Sequence, residues 1–482
     1  MNKLFADKAE AVKPVLNEEK VTAVCPEKLL SEGDSIVLDF GNHYVGYFTA
    51  EFTSTGSHQD APAFLRLKFC EREEEILEPT DDYHGWISRS WIQEEYVHID
   101  VLPHILKLPR RYAFRYVRIE VLGLSSKYQL KLLSADLTAV TSAPEEISLA
   151  GNTEKERLID KAALRTLREC MQYEFEDGPK RDRRLWLGDL RLQAMANYET
   201  YKHNDLVKRC LYLFAATADD EGNISACVFT EPELSADDTF MFDYSLLFVP
   251  TLLDYYRATG DTETAKELLP LALKQFEIAN KQFEGDVVKD SEVLGWCFLD
   301  WNLTLNKQSG AQAVYLYSLN AAIELLKELG QEASEYEALY ERRAKTAISE
   351  FYNTECGLFT SGDMKQISYA VNVWFCLAGV LSQEENRRLL ERLKNSKSAV
   401  KPVTPYMMHH YIQALIDCGE TSQAREVMNN YWGGMTDMNA DTFFELFNPD
   451  NPDESPYGSK VVNSYCHAWS CTPSYFLRKY FM

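Results

Sequence analysis

The chain has 482 residues, 45% of them hydrophobic and 12% aromatic, and a formal net charge of -24 at pH 7. This length is too great for one small core and implies roughly two or three domains, folded throughout. Acidity on this scale repels phosphate backbones and anionic headgroups, which excludes nucleic acid and membrane surfaces as partners.

No apolar run is long enough to span a bilayer, and the opening MNKLFADKAEAVKPVLNEEK has no hydrophobic region after its first lysine, so a cytoplasmic protein is expected. The eleven cysteines are scattered, with no CxxC pair and no Cys/His cluster at zinc spacing, and read as reduced core thiols. His409 and His410 are adjacent and diverge on a helix. No metal and no cofactor is expected. A homodimer is left open.

In chain order, residues 1–30 read as an N-terminal segment and 31–148 as a β domain. SIVLDF, YVGYFTAEF, FLRLKF, YVHIDVL, YAFRYVRIEVL and YQLKLLSADLTAV alternate with period two, the pattern of an antiparallel β-sandwich. The stretch EPTDDYHGWISRSWIQEEY, residues 78–96, is too long and too aromatic for a plain hairpin; it is a functional loop or a loop packed on the next domain.

Residues 149–482 carry helical periodicity to the end, about twelve helices by their i, i+3, i+4 apolar spacing. Short turns such as ATGDTE and CGETSQ join them into α-hairpins. Such hairpins close as an (α/α)6 barrel with the long connections at one end. A solenoid is the weaker alternative, since no repeat is visible.

Those connections collect unusual residues. EFEDGPKRDRRLWLGD gathers Asp177, Lys180, Arg181, Asp182, Arg183 and Arg184 around a Gly-Pro that no helix interior tolerates, followed by Trp186 and Asp189. DSEVLGWCFLDWN brings Trp296, Asp300 and Trp301; GGMTDMNADTFFELFNP brings Asp437, Asp441 and Glu445; SYCHAWSCTPSYF brings His467 and Trp469. Aromatic faces beside carboxylates suit a sugar, which has apolar C–H patches and a girdle of hydroxyls. Glu445, flanked by Phe443, Phe444, Leu446 and Phe447, is poorly hydrated if buried, which raises its pKa. Each feature has a plainer reading: ion pairs at a domain junction, core tryptophans, a core histidine.

DGPKRDRRLWLGD resembles the signature that opens the catalytic barrel of bacterial α-L-rhamnosidases, glycoside hydrolase family 78. GGMTDMNADTFFELF and SYCHAWSCTPSYFL resemble that family's later segments, in the same order. The resemblance implies a hydrolase with an inverting general acid/base mechanism that removes a terminal α-L-rhamnosyl or similar deoxy-sugar residue from small glycosides. It places the general acid at Asp182 and the general base at Glu445, with Asp177, Arg181, Trp186, Asp189, Asp300, Trp301 and His467 around the sugar; Trp296 joins them as an aromatic face beside Asp300 and Trp301. The arginines beside the acid are expected to pair with Asp177 and Asp189, so that they do not depress its pKa. The chain departs from the family in reading Arg181-Asp182-Arg183-Arg184 where many members have Arg-x-Glu-Arg, and in having Phe444 before the base in place of Trp. A carbohydrate-binding or catalytically weakened member, or a six-hairpin enzyme acting on another sugar, is the alternative.

Overall fold

The computed structural model describes residues 2–57, 60–290, 295–452 and 454–482; residues 291–294, within the DSEVLGWCFLDWN stretch, lie outside them. Strands β1 (Asn17–Thr22), β2 (Leu29–Leu30), β3 (Ser35–Gly56), β4 (Ala63–Cys70), β5 (Glu94–Ile99), β6 (His104–Lys107), β7 (Tyr112–Gly123) and β8 (Tyr128–Thr141) pair antiparallel in the order β1-β8-β3-β7-β4-β5. Strands β2 and β6 are added on β8 and β3.

The long strand β3 makes a sandwich from this single network. Its first half pairs with β7 and its second half with β8 and β6, with a register shift between Asp39 and Tyr44. Gly46 is the crossing point, opposite both Tyr112 and Ala139. A Cβ there would sit 2.1 Å from the Thr138 carbonyl oxygen, so only glycine lets the strands close. Inward residues of both halves meet in one core, where Phe48 and Phe114 set their edges against Phe69 at 5.4 and 5.0 Å. Each such buried ring contributes roughly 2 kcal/mol.

Residues 1–30 are not a separate segment. Helix α1 (Lys3–Ala11) lies on the helical part, where Arg209 Nη1 donates to the Ala9 carbonyl at 2.7 Å, and β1 and β2 belong to the sheet.

Among the described residues twelve helices follow: α2 (Glu154–Cys170), α3 (Leu187–Glu199), α4 (Asn204–Thr217), α5 (Phe242–Thr259), α6 (Thr262–Asn280), α7 (Gln308–Glu328), α8 (Ser334–Phe351), α9 (Tyr369–Ala378), α10 (Gln383–Asn395), α11 (Pro405–Asp417), α12 (Thr421–Asp437) and α13 (Pro473–Lys479). The odd-numbered helices from α3 to α13 form the inner ring of an (α/α)6 barrel. Each packs on the next, α13 returns to α3, and His409 of α11 meets Phe476 of α13 at 5.0 Å. Sequence decides which helix goes where. Helix α10 buries only Asn386, Leu389, Leu390 and Leu393, one stripe of an outer helix. Helix α9 reads YAVNVWFCLA, apolar nearly all round, and is buried nearly all round.

Inner helices run into outer ones through short turns at 200–203, 260–261, 329–333, 379–382 and 418–420. Outer helices return through long connections at 171–186, 218–241, 281–307, 352–368, 396–404 and 438–472. The long connections therefore gather at the N-terminal ends of the inner helices.

Candidate active site

A cavity of about 330 Å³ opens at that end. Asp177, Arg181, Asp182, Trp186, Asp189, Trp296, Trp301, Glu445 and His467 all line it.

The 177–186 connection is folded around Asp177. Its carboxylate accepts the backbone N–H of Arg184 at 3.1 Å and that of Asp182 at 3.3 Å. Gly178 is required because a Cβ would meet the Arg181 carbonyl oxygen at 2.5 Å and Ser464 Oγ at 2.7 Å. Burial, and then the neighbouring Asp182 charge, push the Asp177 carboxyl up to about 8. Asp182 has the freest carboxylate of this loop, its side chain 22% exposed into the cavity.

The arginines do not pair as the sequence led one to expect. Arg181 is buried and its Nη2 donates to Glu445 Oε2, while its Nε donates to the Val462 carbonyl at 3.0 Å. Its guanidinium lies 3.9 Å from the Tyr457 ring centroid. Arg183 turns away and donates to the carbonyls of Pro179 and Arg111, both at 2.8 Å. Besides Glu445, Arg181 pairs with Asp182, its Nη1 donating to Asp182 Oδ1 at 3.4 Å, whereas neither Asp177 nor Asp189 is among its ion-pair partners in the described residues.

Glu445 is buried and accepts a second hydrogen bond at Oε1 from the Tyr457 hydroxyl. Burial pushes its carboxyl above the ordinary range, and the Arg181 charge and the tyrosine hydrogen bond oppose that push. Its backbone is fixed by Glu445 N–H donating to the Ser464 carbonyl at 3.0 Å and Trp469 Nε1 donating to the Glu445 carbonyl at 2.9 Å.

Asp189, in the first turn of α3, is buried beside Asp177 and Glu445, and burial together with those charges holds it well above the usual carboxylate range. His467 Nδ1 lies 3.5 Å from Asp189 Oδ1, but burial and the Arg181 charge keep the imidazole neutral. Neither Asp189 Oδ1 nor His467 Nδ1 has a hydrogen-bond partner among the described residues. The indole N–H groups of Trp186 and Trp301 are likewise buried without a partner there. Unpaired donors and acceptors around a cavity await the hydroxyls of a ligand.

Asp300 does not line the cavity. It accepts Val403 N–H at 3.0 Å, Thr404 N–H at 3.2 Å and Thr404 Oγ1 at 2.6 Å, tying its connection to the start of α11. Burial raises its carboxyl to about 6.

Sequence reasoning did not single out Tyr457, Tyr244 or Phe298, which also line the cavity. The 78–96 stretch proves to do both things expected of it. Trp86, Ile87, Ser88 and Trp91 form part of the cavity wall, while Tyr83 and Ile92 pack with Tyr457, Val461 and Val462. Trp86, 69% exposed at the mouth, donates from Nε1 to the Pro456 carbonyl at 2.8 Å.

No cluster of three or more His, Cys, Asp or Glu side chains placed to hold a metal occurs among the described residues. No helix among them is long and apolar enough to cross a membrane.

Residues 3–139 match the glycosyl hydrolase family 78 alpha-rhamnosidase N-terminal domain, and residues 151–481 match the bacterial alpha-L-rhamnosidase 6 hairpin glycosidase domain. The chain belongs to glycoside hydrolase family 78. This family 78 chain is 43% identical to a rhamnosidase from Klebsiella oxytoca whose structure has rhamnose bound, over 100% of this chain and 99% of that one, with a TM-score of 0.95. A family 78 rhamnosidase from Bacillus sp. GL1, at 20% identity and a TM-score of 0.80, shares the fold over 94% of this chain and 47% of that chain. The Streptomyces avermitilis α-L-rhamnosidase complexed with L-rhamnose, at 18% identity, shares it over 96% of this chain and 44% of that chain, with a TM-score of 0.72. No curated protein matches the sequence.

Proposed function

We propose that the protein is an inverting α-L-rhamnosidase that removes a terminal α-L-rhamnosyl residue from small glycosides. The observation that carries this reading is the cavity itself, in which Asp177, Asp182, Asp189 and Glu445 face Trp186, Trp301 and His467. Full-length likeness to a rhamnosidase with rhamnose bound supports the choice of sugar.

Asp177, its carboxyl raised to about 8 by burial and then by the Asp182 charge, stays largely protonated at neutral pH and adds no charge beside the acid. Asp182, the more exposed of the two, is the general acid that protonates the departing glycosidic oxygen. Glu445, paired with Arg181 and made more basic by burial, takes a proton from the water that attacks the anomeric carbon from the opposite face. Asp189, His467 and the unpartnered indole N–H groups of Trp186 and Trp301 hold sugar hydroxyls. Eleven thiols without a disulfide support a reducing, cytoplasmic location.

The test is a panel of p-nitrophenyl glycosides assayed with wild type, Asp182→Asn and Glu445→Gln. The α-L-rhamnoside is expected to be the preferred substrate, with kcat falling about a hundredfold or more in each variant. Turnover of a different glycoside would refute the sugar, and inertness on the whole panel would leave a sugar-binding protein.

A further inference from the structure

Lys180 stands in the signature loop next to Arg181, yet it does not line the cavity. Its side chain is fully buried and runs the other way, into the sandwich, where Nζ donates to Glu75 Oε1 and lies 3.6 Å from Glu71 Oε2. Both glutamates follow strand β4. Glu75 Oε2 accepts the backbone N–H groups of Glu71 and Arg72 at 2.8 Å each, so its carboxylate is fixed before Lys180 arrives.

The same network reaches the other two site segments. Glu71 Oε2 accepts the Tyr465 N–H at 2.7 Å, two residues before His467, and Glu71 Oε1 is 3.1 Å from His43 Nε2. The His43 backbone N–H donates to Asp441 Oδ2 at 2.7 Å, four residues before Glu445. Arg72 Nη2 donates to the Met438 carbonyl at 3.0 Å, and its guanidinium sits 4.9 Å from the Phe444 ring centroid. Between them, Glu71, Glu75 and Arg72 of the sandwich thus touch both the connection that carries Asp182 and the one that carries Glu445 and His467.

Burying such charges is a poor route to stability, because desolvation offsets most of what the ion pairs return, and apolar replacements are commonly neutral. What ion pairs provide that apolar contacts do not is a fixed register between separate chain segments. Opposing burial, the Glu75 and Glu71 charges hold the Lys180 ammonium above its ordinary pKa. Burial also opposes the charge on His43, but Cys466, Glu71 and Glu169 outweigh it and raise the imidazole to about 9.

We propose that the N-terminal sandwich is a working part of the active site, with Lys180, Glu75, Glu71 and His43 as positioning residues that set the Asp182, Glu445 and His467 segments in register. The proposal rests on the rhamnosidase reading. Misplacement of a catalytic group by about 1 Å can cost on the order of a hundredfold in rate. Removing the Lys180–Glu75 pair therefore acts on kcat through the Asp182 loop, while Glu71 still holds Tyr465 and with it the segment of His467.

The experiment compares wild type with Lys180→Met/Glu75→Gln, a double variant that removes one positive and one negative charge and leaves the Glu71–His43 pair balanced. Melting temperature, kcat and KM on p-nitrophenyl α-L-rhamnoside and L-rhamnose affinity by calorimetry are read side by side. Positioning predicts kcat down about tenfold to a hundredfold, with KM and L-rhamnose affinity within about threefold of wild type. A purely structural role predicts a lower melting temperature with kcat of the folded enzyme within about twofold, and that result overturns the proposal. If this variant does not fold, His43→Gln/Glu71→Gln, balanced in the same way, is judged by the same criteria. An inert wild type would instead refute the rhamnosidase reading, so the two failures are distinct.

Discussion

Tyr457→Phe removes one oxygen from the site and leaves everything else in place, including the ring on which Arg181 rests 3.9 Å from the centroid. The lost hydroxyl donates to Glu445 Oε1. A hydrogen bond to a charged acceptor contributes about 1.5–3 kcal/mol, and one pKa unit corresponds to about 1.4 kcal/mol, so the carboxyl should rise by roughly one to two units. Because Arg181 still holds the other oxygen, the lower end applies, about one unit. The sign follows from which form the hydroxyl favours. It stabilises the anion against burial, so its loss raises the pKa of the base, and the acid limb of the pH profile for kcat/KM moves to higher pH. Above the new limb the rate should fall by only a few-fold, since Arg181 still orients the carboxylate. The assay is p-nitrophenol release across pH with wild type and variant in parallel. An acid limb that stays within about 0.3 unit, or moves down, refutes the assignment of that limb to Glu445.

Other consequences are as direct. The alkaline limb should lie near 8, because Asp177, beside the acid, loses its proton as pH rises through its raised value; a limb well above 9 would contradict this. Asp300→Ala leaves the Val403 and Thr404 N–H groups and the Thr404 hydroxyl without their acceptor. Urea unfolding should show a loss of about 3 kcal/mol with L-rhamnose affinity of the folded protein retained. Trp86→Ala strips an exposed ring from the mouth, 5.4 Å from Tyr457; KM for the aryl glycoside should rise about fivefold while L-rhamnose affinity, measured by calorimetry, stays put.

Much of this architecture is legible in the chain because the determinants are local. Period-two strands such as FLRLKF and the apolar stripe of QEENRRLLERLKN dictate which face is buried, whatever lies opposite. The 177–189 loop announces itself by placing Gly-Pro and clustered charges where no helix interior allows them. What is not legible depends on pairs far apart in the chain. Asp300 beside Trp301 looks like a sugar contact, but its acceptor capacity is filled by Val403 and Thr404, a hundred residues on. Arg181 finds Glu445 where nearer carboxylates were expected, because Asp177 is already occupied by the backbone of its own loop. Tyr457 lies in NPDNPDESPYGSK, which has neither periodicity nor a charge pattern to mark it. Lys180 is hidden for another reason: among five neighbouring charged residues, nothing local tells which one turns inward.

The most direct measurement of the central claim is proton NMR of the first sugar released from p-nitrophenyl α-L-rhamnoside by wild type, before mutarotation. The account predicts β-L-rhamnose appearing first, since water activated by Glu445 attacks from the face opposite the Asp182-protonated leaving group. Initial release of α-L-rhamnose, or no release at all, would contradict it.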